Sequence, residues 1–383
     1  MLFVYVLASL RENFILYLRK LNLFHFKNIE EAHLEFQSDI LSFLGINGSG
    51  KTSLLDAIYY LSFSKSATNP SDSQNVQHGQ SQFMVKGEFE LNGRSHEVVS
   101  SYQLGQKKII REDGQDCIRF SEHIGKYPVV LIAPQDIELI WDGSELRRKF
   151  FDSLLSQLDK AYLDNLILYV GQLKQRNSLL RIFSESGKVD HDLLLSYDQK
   201  IIPAAKYIYS KRKQFVVDFL PQFKKHYQFL VGDSVEEVHI QYNSDLANFD
   251  FDELLRKNLQ RDILLQRTSA GIHRDDFNFL INQYELKKIG SQGQQKSFLI
   301  ALKLAEFQTI AETKKCKPIL LLDDIFDKLD DQRIHQLMLL VARNTFGQIF
   351  ITDARAGRSI EILKEAKVDA QVFTVQNGIF QNG

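Results

Sequence analysis

The stretch Gly45-Ile46-Asn47-Gly48-Ser49-Gly50-Lys51-Thr52 decides the fold class of this 383-residue chain. It has the spacing of a phosphate-binding loop, and it stands between an apolar run, Ile40–Leu44, and a helical pattern over residues 51–62. Glycines let the backbone turn its N–H groups toward phosphate oxygens, and the helix start adds a positive partial charge. We predict that Lys51 bridges the β- and γ-phosphates of ATP and that the Thr52 hydroxyl binds Mg²⁺. The alternative is a glycine turn that binds nothing.

Two carboxylates follow a second apolar run. Ile319-Leu320-Leu321-Leu322 predicts a strand buried on both faces, and Asp323 and Asp324 come directly after it. Because the carboxyl ends of parallel strands meet at one edge of a sheet, we expect both residues beside the phosphate loop. Asp323 would hold Mg²⁺ through water, and Asp324 would orient or deprotonate the attacking water. A surface acidic turn is the alternative.

A third motif, Ser291-Gln292-Gly293-Gln294-Gln295-Lys296, begins a predicted helix. A serine and a glycine at a helix start offer a hydroxyl, exposed N–H groups and the helix dipole to an anion. One phosphate loop is enough for one ATP, so this second anion site makes sense if it contacts the γ-phosphate of ATP held by another copy of the chain. A plain N-capped helix is the alternative.

The order of predicted elements indicates an α/β fold interrupted by a helical insertion. Alternating stretches over residues 21–36 predict strands, and short strands over residues 83–120, punctuated by Asn92-Gly93 and Asp113-Gly114, predict a small antiparallel sheet. Apolar residues then recur every three or four positions over residues 146–173, which predicts one long helix with room for a break.

Further helical patterns cover residues 192–229, where Pro203 and Pro221 are expected to mark kinks or ends, and Phe251–Leu265. After Thr268 the α/β pattern returns with a strand at residues 277–281 and a helix over residues 292–313. We therefore expect an ATPase lobe in two halves around a helical lobe. The expected segments are an extension of doubtful status (1–15), the N-terminal half (16–142), the helical lobe (143–267) and the C-terminal half (268–383).

The composition, 44% hydrophobic and 25% charged, is that of an ordinary soluble globular protein. A net charge of −1 creates no global attraction to nucleic acid, so DNA binding would need local basic patches or a closed surface formed by several subunits. Cys117 and Cys316 are distant and show no metal-type spacing, which favours a reducing cytosol. The first ten residues are apolar, but Arg11 and Glu12 interrupt them well short of a membrane span. Three interpretations of residues 1–15 stay open: a start codon assigned too far upstream, a native extension or a targeting segment.

Basic residues cluster in the middle third of the chain, where helical faces carry them. Such runs are commonly a solvated face, and phosphate contact is the alternative. The clusters are Arg147-Arg148-Lys149, Lys174 with Arg176 and Arg181, Lys211-Arg212-Lys213, and Lys224-Lys225-His226.

These motifs, in this order, resemble the ABC/SMC-like ATPases and, among them, the RecF family of bacterial recombination mediators. The segments at 175–180 and 271–276 matter most, because transporters of the wider class lack them. The resemblance covers about residues 16–355. Its marks are Leu23–Asn28 with its Phe26-Lys27-Asn28 turn, residues 45–52, Gln175-Arg176-Asn177-Ser178-Leu179-Leu180, Gly271-Ile272-His273-Arg274-Asp275-Asp276, residues 290–296, and residues 319–324 running on to 327–331.

The resemblance implies an ABC-type P-loop ATPase lobe with a small antiparallel β subdomain and an inserted, mostly helical lobe. It also implies a cytoplasmic protein that uses ATP and Mg²⁺, dimerises on ATP, and binds DNA near single-strand/double-strand junctions. Such a protein would serve recombinational gap repair, replication maintenance and SOS induction, helping RecO and RecR to load recombinase. Lys27 and Asn28 join the cofactor-binding residues, Ser291 and Gly293 become the trans γ-phosphate contacts, and Asp330 belongs to the loop that crosses the dimer seam.

The chain departs from its relatives at the chemistry. Gln135 stands where RecF proteins usually carry an acidic residue, although the wider class has glutamine there. We predict that it contacts Mg²⁺ or the attacking water, and a plain loop residue is the alternative. Thr352-Asp353 replaces the histidine that ABC transporters place near the γ-phosphate, and Asp324 is one methylene shorter than the transporter glutamate. Both departures favour slow hydrolysis, as in a timing switch. His273 and Arg274 can be read as catalytic support or as a buried structural pair.

Three rival functions fit the sequence less well. A transporter's nucleotide-binding subunit is disfavoured by the absent histidine and the large helical insertion. A chromosome-bridging protein of the SMC type would need apolar heptads sustained far longer than any here. A small-molecule kinase would not explain the Ser291 motif.

Overall fold

A computed structural model describes residues 14–232, 235–325, 331–342, 345–354, 361, 364 and 369–383. The predictions made for residues 1–13 and for Asp330 lie outside this described part. The chain divides into two compact units. The first unit is drawn from residues 1–136, 226–233 and 296–383, and the second from residues 137–225 and 234–295.

The helices and strands are numbered along the chain. The strands are β1 (Phe14–Phe26), β2 (Ile29–Glu35), β3 (Ile40–Leu44), β4 (Gln82–Leu91), β5 (Arg94–Gln103), β6 (Ile109–Glu112), β7 (Gln115–Asp116), β8 (Val129–Ile132), β9 (Val238–Asn243), β10 (Asp276–Ile281), β11 (Tyr284–Glu285), β12 (Cys316–Lys317), β13 (Ile319–Leu322), β14 (Ile349–Asp353), β15 (Gln371–Gln376) and β16 (Ile379–Asn382). The helices are α1 (Lys51–Phe63), α2 (Glu138–Trp141), α3 (Ser144–Leu158), α4 (Lys160–Ser186), α5 (His191–Val231), α6 (Phe251–Leu265), α7 (Leu286–Ile289), α8 (Gln292–Lys314) and α9 (Asp331–Ala342).

A six-stranded sheet in the order β16-β15-β3-β14-β13-β8 positions the site in the first unit. All neighbours from β15 to β8 run parallel, and β3 and β13 are buried at every residue, as their continuous apolar sequences predict. The register pairs Leu322 with both Ile132 and Ile351. The loops after β3, β8, β13 and β14 therefore leave from the same edge of the sheet.

A second sheet completes the first unit, in the order β12-β1-β4-β5-β6-β7 with β2 on β1, and all its pairs are antiparallel except β12–β1, which is parallel. Asn92-Gly93 and Asp113-Gly114 have positive φ at every residue and turn the β4–β5 and β6–β7 hairpins, as expected from the sequence. The core between this sheet and the parallel one is rich in aromatic rings. Phe43 and Phe373, for example, stack with their centroids 4.9 Å apart, and burying each such ring contributes roughly 1.5–3 kcal/mol.

The second unit is mostly helical and also contains the antiparallel sheet β11-β10-β9. The helix expected over residues 146–173 breaks between α3 and α4 at Asp159, whose carboxylate accepts the backbone N–H of Tyr162 and caps α4. The strand expected at residues 277–281 pairs with β9, and so falls in this unit rather than with the other α/β strands. The domain limits at residues 142 and 267 stay predictions.

The prolines of α5 do not end the helix, which was one of the two expected outcomes, and a kink at either proline stays a prediction. Pro203 and Pro221 lie inside the helix, and neither ends it. A proline within a helix costs about 3 kcal/mol. Buried apolar side chains on either side of Pro203, among them Ile201, Ala204 and Ile208, pack into one core cluster and offset that cost. Among the described residues, no helix is long and apolar enough to cross a membrane.

Candidate nucleotide-binding site

The phosphate loop joins β3 to α1 at the edge of the parallel sheet. Gly48 and Gly50 have φ angles of 80° and 117°, which other residues rarely adopt, and Gly50 is the N-cap of α1. Lys51 is buried, and its Nζ donates to the carbonyl oxygens of Gly45 (2.7 Å) and Ile46 (3.1 Å). The ammonium group is therefore held at the loop itself, where a phosphate bound by the loop would meet it.

Asn28 fastens this loop to the turn after β1. Its Nδ2 donates to the carbonyl oxygen of Gly48 at 3.0 Å, and its Oδ1 accepts from the Ser53 hydroxyl at 2.6 Å. Lys27 pairs with a different residue: its Nζ lies 2.6 Å from the buried carboxylate of Asp56. The turn thus supports the loop through Asn28, while the charge of Lys27 is balanced from within α1.

Asp323 and Thr52 form the centre of the site. The Thr52 hydroxyl lies 3.1 Å from both carboxylate oxygens of Asp323, and the Thr352 hydroxyl donates to Oδ1 at 2.7 Å. Burial raises the pKa of Asp323, although the two hydroxyls and Lys51 oppose the shift. A hydroxyl and a buried carboxylate are hard oxygen donors, which suits Mg²⁺, and a bound cation would stabilise the ionised carboxylate.

Asp324 lines the same cavity as Thr52. Its φ is 44°, and its backbone N–H donates to the Thr352 hydroxyl at 3.0 Å, so the strained turn is held from β14. The cavity has a volume of about 480 Å³, within the range usual for small-molecule sites. It is lined by Lys27, Asn28, Asn47, Gly48, Gly50, Lys51, Thr52, Ser53, Pro134, Asp324 and Ala354.

Gln135 follows the cavity residue Pro134 within the short 3-10 turn Pro134–Ile137, and it is half-buried. The next residue anchors the turn. The Asp136 carboxylate accepts the N–H of Ala133 at 2.8 Å and lies 3.3 Å from the ammonium of Lys303 in α8. Lys303 also faces Glu306, whose pKa burial raises to about 7, so one buried cation serves two carboxyl groups.

The hairpin β15–β16 also supports the loop, and sequence reasoning missed it. The Gly378 N–H donates to the carbonyl oxygen of Ser49 at 2.7 Å. A Cβ at Gly378 would lie 2.8 Å from the backbone carbonyl oxygen of Asn28, and a Cβ at Gly45 would lie 2.2 Å from the backbone carbonyl oxygen of Val375. The dipeptide Asn377-Gly378, a hairpin signal, could have located the turn but not its contact with the loop.

Comparison with known proteins agrees with this geometry. The family model described as the RecF/RecN/SMC N terminal domain matches residues 17–381. A Flavobacterium johnsoniae protein named DNA replication and repair protein RecF is 45% identical over 360 residues, which cover 94% of this chain and 100% of that protein. Its namesake from Bacteroides thetaiotaomicron is 40% identical over 94% of this chain and 97% of its own length. The chain belongs to the RecF family.

Solved structures extend the similarity to the whole fold. The recombination mediator protein RecF with ATP, described as part of the RecFOR pathway, superimposes with a TM-score of 0.85 at 30% identity, over 96% of this chain and 98% of that one. An Smc head domain from Pyrococcus furiosus, 14% identical over 96% of each chain, gives a TM-score of 0.54 and shares the fold. The α/β ATPase fold with an antiparallel subdomain and a helical region, expected from the sequence, is confirmed.

The RecF-type serine motif lies at the start of α8. The Ser291 hydroxyl accepts the N–H of Gln294 at 3.2 Å, and the Gln294 side chain accepts the N–H of Ser291 at 2.7 Å. This reciprocal pair is a capping box, so the plain structural role considered for Ser291 is present. Ser291 is exposed and Gly293 is half-buried. Their contact with a second copy's nucleotide stays a prediction.

The basic clusters of this RecF family member offer fewer exposed side chains for contact with phosphate than their sequence suggests. The side chains of Arg147, Arg176 and Arg212 are 7%, 0% and 1% exposed, and each is paired with aspartate. These three arginines cannot contribute to an outer phosphate-binding surface. The exposed basic residues of the clusters are Lys149, Lys174, Arg181 and Lys213.

His273 has a structural environment in the second unit. Its Nδ1 accepts from the Tyr169 hydroxyl at 2.7 Å, and its Nε2 donates to the carbonyl oxygen of Thr268 at 3.1 Å. Burial lowers the pKa of His273 to about 4, so the ring is neutral at physiological pH. Arg274 is exposed. The two residues are therefore not a buried pair, and His273 serves the packing of this unit.

Proposed function

We propose that this chain binds and slowly hydrolyses ATP in the cavity beside the phosphate loop, and that ATP joins two copies into a DNA-binding dimer that acts in recombinational gap repair. The observation that carries the proposal is the Thr52 hydroxyl placed on the buried carboxylate of Asp323, beneath a glycine loop and Lys51. A relative of the same fold, 30% identical, is described as RecF-ATP.

Each step of nucleotide binding has a residue suited to it. The loop N–H groups and Lys51 would neutralise the phosphates, and Thr52 and Asp323 would hold Mg²⁺, which supplies the remaining positive charge. Asp324 would orient or deprotonate the attacking water, and Gln135 would contact that water or Mg²⁺. The Thr352 hydroxyl is engaged by Asp323 and the Asp324 N–H. Thr352 stands where ABC transporters place a histidine near the γ-phosphate. The absence of that histidine supports slow ATP turnover and a role for hydrolysis as a switch that releases the dimer.

Dimerisation is proposed from the anion-binding start of α8. Ser291 is exposed, and its hydroxyl hydrogen is not needed for the cap, in which Oγ accepts. In the proposed dimer Ser291 and the N–H of Gly293 contact the γ-phosphate of ATP bound by the other copy, and Asp330 belongs to the loop crossing the seam. The nucleotide is then enclosed only when two chains meet, so its hydrolysis releases them.

The DNA role is proposed from the relatives. Proteins 40–45% identical over nearly the whole chain are named DNA replication and repair protein RecF, and the solved relatives are described as members of the RecFOR pathway. We extend to this chain a cytoplasmic role in gap repair, replication maintenance and SOS induction. It would bind DNA near single-strand/double-strand junctions and act with RecO and RecR in loading recombinase.

The test compares three substitutions at Ser291 by sizing the protein with and without ATP. Asparagine and aspartate both cap helices as well as serine does, and they differ from each other mainly in charge. If Ser291 faces a γ-phosphate in trans, Ser291→Asp repels it and abolishes the ATP-dependent dimer, whereas Ser291→Asn retains a weaker one. Ser291→Arg blocks the same place by size.

Binding of a fluorescent ATP analogue to the monomer is the control, and all three variants should bind it as the unchanged chain does. Equal dimerisation of the Asp and Asn variants would show that Ser291 does not face phosphate. A chain that stays monomeric with ATP before any substitution would contradict the switch as a whole.

A further inference from the structure

Three side chains of metal-binding type meet in the antiparallel subdomain, outside the nucleotide cavity. Glu112 ends β6, Cys117 follows β7, and His123 follows the short 3-10 turn Phe120–Glu122. One ligand atom from each lies within 4.8 Å of the other two. Within the described part of the chain, no other trio of histidine, cysteine or acidic side chains comes together in this way.

His123 shows the signs of a metal ligand. It is 1% exposed, and its Nε2 donates to the carbonyl oxygen of Leu61, which fixes the ring and its tautomer. The other nitrogen, Nδ1, is buried and has no hydrogen-bond partner. A buried nitrogen without a partner is costly unless something binds its lone pair. Metal-bound histidines typically donate their second nitrogen to a carbonyl or carboxylate in this way.

The local backbone brings the other two ligands to the ring. The Asp113-Gly114 turn folds β7 back on β6, and the Cys117 N–H donates to the carbonyl oxygen of Ile110 at 2.8 Å. This places the thiol beside the last residue of β6, Glu112. Bonds of about 2.0–2.3 Å to a tetrahedral zinc ion put ligand atoms under 4 Å apart. Because the three atoms already lie within 4.8 Å of one another, they need to approach by no more than about 1 Å.

The charges around the trio leave room for a divalent cation. The Glu112 carboxylate is 2.6 Å from the Lys126 ammonium and accepts from the Tyr127 hydroxyl at 2.9 Å. The Lys126 side chain is 46% exposed, so it can turn into solvent when a cation takes its place. Leu61 lies in the last turn of α1, where the helix dipole favours positive charge.

We propose that Glu112, Cys117 and His123 bind a zinc ion, with water as the fourth ligand. The Cys117 thiol gives up its proton to solvent as the sulfur–zinc bond forms, and the thiolate and carboxylate together balance the charge of the ion. Through His123 and Leu61 the ion fastens the segment between β6 and β8 to the end of α1, the helix that begins at the phosphate loop. The site is structural, and it is separate from the predicted magnesium site.

The test uses the full chain with any polyhistidine tag removed, because such a tag binds zinc itself. The protein is stripped with a chelator, dialysed, titrated with zinc alone against a chromogenic chelator, and analysed for bound metal. Cobalt(II) substitution adds a spectroscopic readout, because a thiolate ligand gives a charge-transfer absorption that oxygen and nitrogen ligands lack. Cys117→Ser and His123→Gln are the test variants, and Cys316→Ser and His96→Gln are their matched controls.

We expect one zinc per chain in the unchanged protein and in both controls. Affinity should fall at least about tenfold in each test variant, and the cobalt–thiolate band should be lost in Cys117→Ser. Circular dichroism of the metal-free proteins shows whether a variant has misfolded, and Glu112→Gln then provides a third ligand variant. A protein that takes up no zinc, or zinc binding that is equal in Cys117→Ser and Cys316→Ser, would overturn the proposal.

Discussion

Replacing Arg176 by methionine removes the charge at the centre of the second unit while keeping most of the side-chain volume. The Arg176 guanidinium donates to Asp198 at 2.8 Å and to Asp262 at 3.0 Å, and Arg176 and Asp262 are fully buried. It also donates to the Thr268 hydroxyl at 2.7 Å. Loss of the arginine leaves Asp262 as a buried carboxylate whose remaining partners, the N–H and hydroxyl of Ser269, carry no formal charge.

Breaking a buried ion pair by removing one partner costs about 3–5 kcal/mol. The second unit has about 150 residues, and for that size each kcal/mol lowers the melting temperature by about 2–4 °C. We therefore expect Arg176→Met to melt about 6–20 °C below the unchanged chain. Urea unfolding followed by circular dichroism gives the free energy directly.

Arg181→Met is the matched control, because Arg181 lies on the same helix and is exposed. It should change stability by less than about 0.5 kcal/mol. The double variant Arg176→Met/Asp262→Asn replaces the buried carboxylate by a neutral amide and should recover at least about 1 kcal/mol. If Arg176→Met were as stable as Arg181→Met, the buried network would not hold this unit together.

Three further outcomes follow from the site and its surroundings. Asp324→Asn should lower the rate of single-turnover phosphate release by about 10²–10⁴-fold and leave the affinity for ATP unchanged. If the affinity for ATP fell instead, Asp324 would act in binding ATP rather than in the hydrolysis step. Because the folded-state pKa of His273, about 4, lies below its ordinary 6.5, stability present above pH 6.5 should be lost as pH falls toward 4, by up to about 3 kcal/mol. His273→Gln should flatten that pH dependence in urea titrations. Gly378→Ala should weaken ATP binding, because its Cβ would clash with the backbone carbonyl oxygen of Asn28 and disturb the support of the phosphate loop. Gly187→Ala should leave ATP binding unchanged, because Gly187 has a similar φ but open space around it.

The parts of the site that the sequence could predict are those joined by short stretches of chain or by a general rule of sheets. The phosphate loop is local, since its glycines, Lys51 and Thr52 follow one another. The closeness of Thr52 and Asp323, 271 residues apart, follows from a rule, because parallel strands end at one edge of their sheet. Neither prediction needed the details of packing.

The features that could not be predicted depend on side-chain contacts between distant segments. Nothing in the sequence around Gly378 shows that its N–H meets Ser49. Pro203 carries a local signal for a helix end, which the packing of the apolar residues on either side of it overrides. The proposed zinc site was missed because metal patterns are sought in pairs of cysteines, whereas here a single cysteine is joined by a strand-end glutamate and a buried histidine.

The segments at 175–180 and 271–276 were candidates for a chemical role, but their contacts in the structure argue against one. Thr268 accepts from Arg176 and donates to Asn177, and it also accepts from His273. Asp275 is buried against Arg212. These partners lie within the second unit, so residues of the segments at 175–180 and 271–276 hold that unit together. Within residues 271–276 it is the exposed Arg274 that can contact a partner outside the chain.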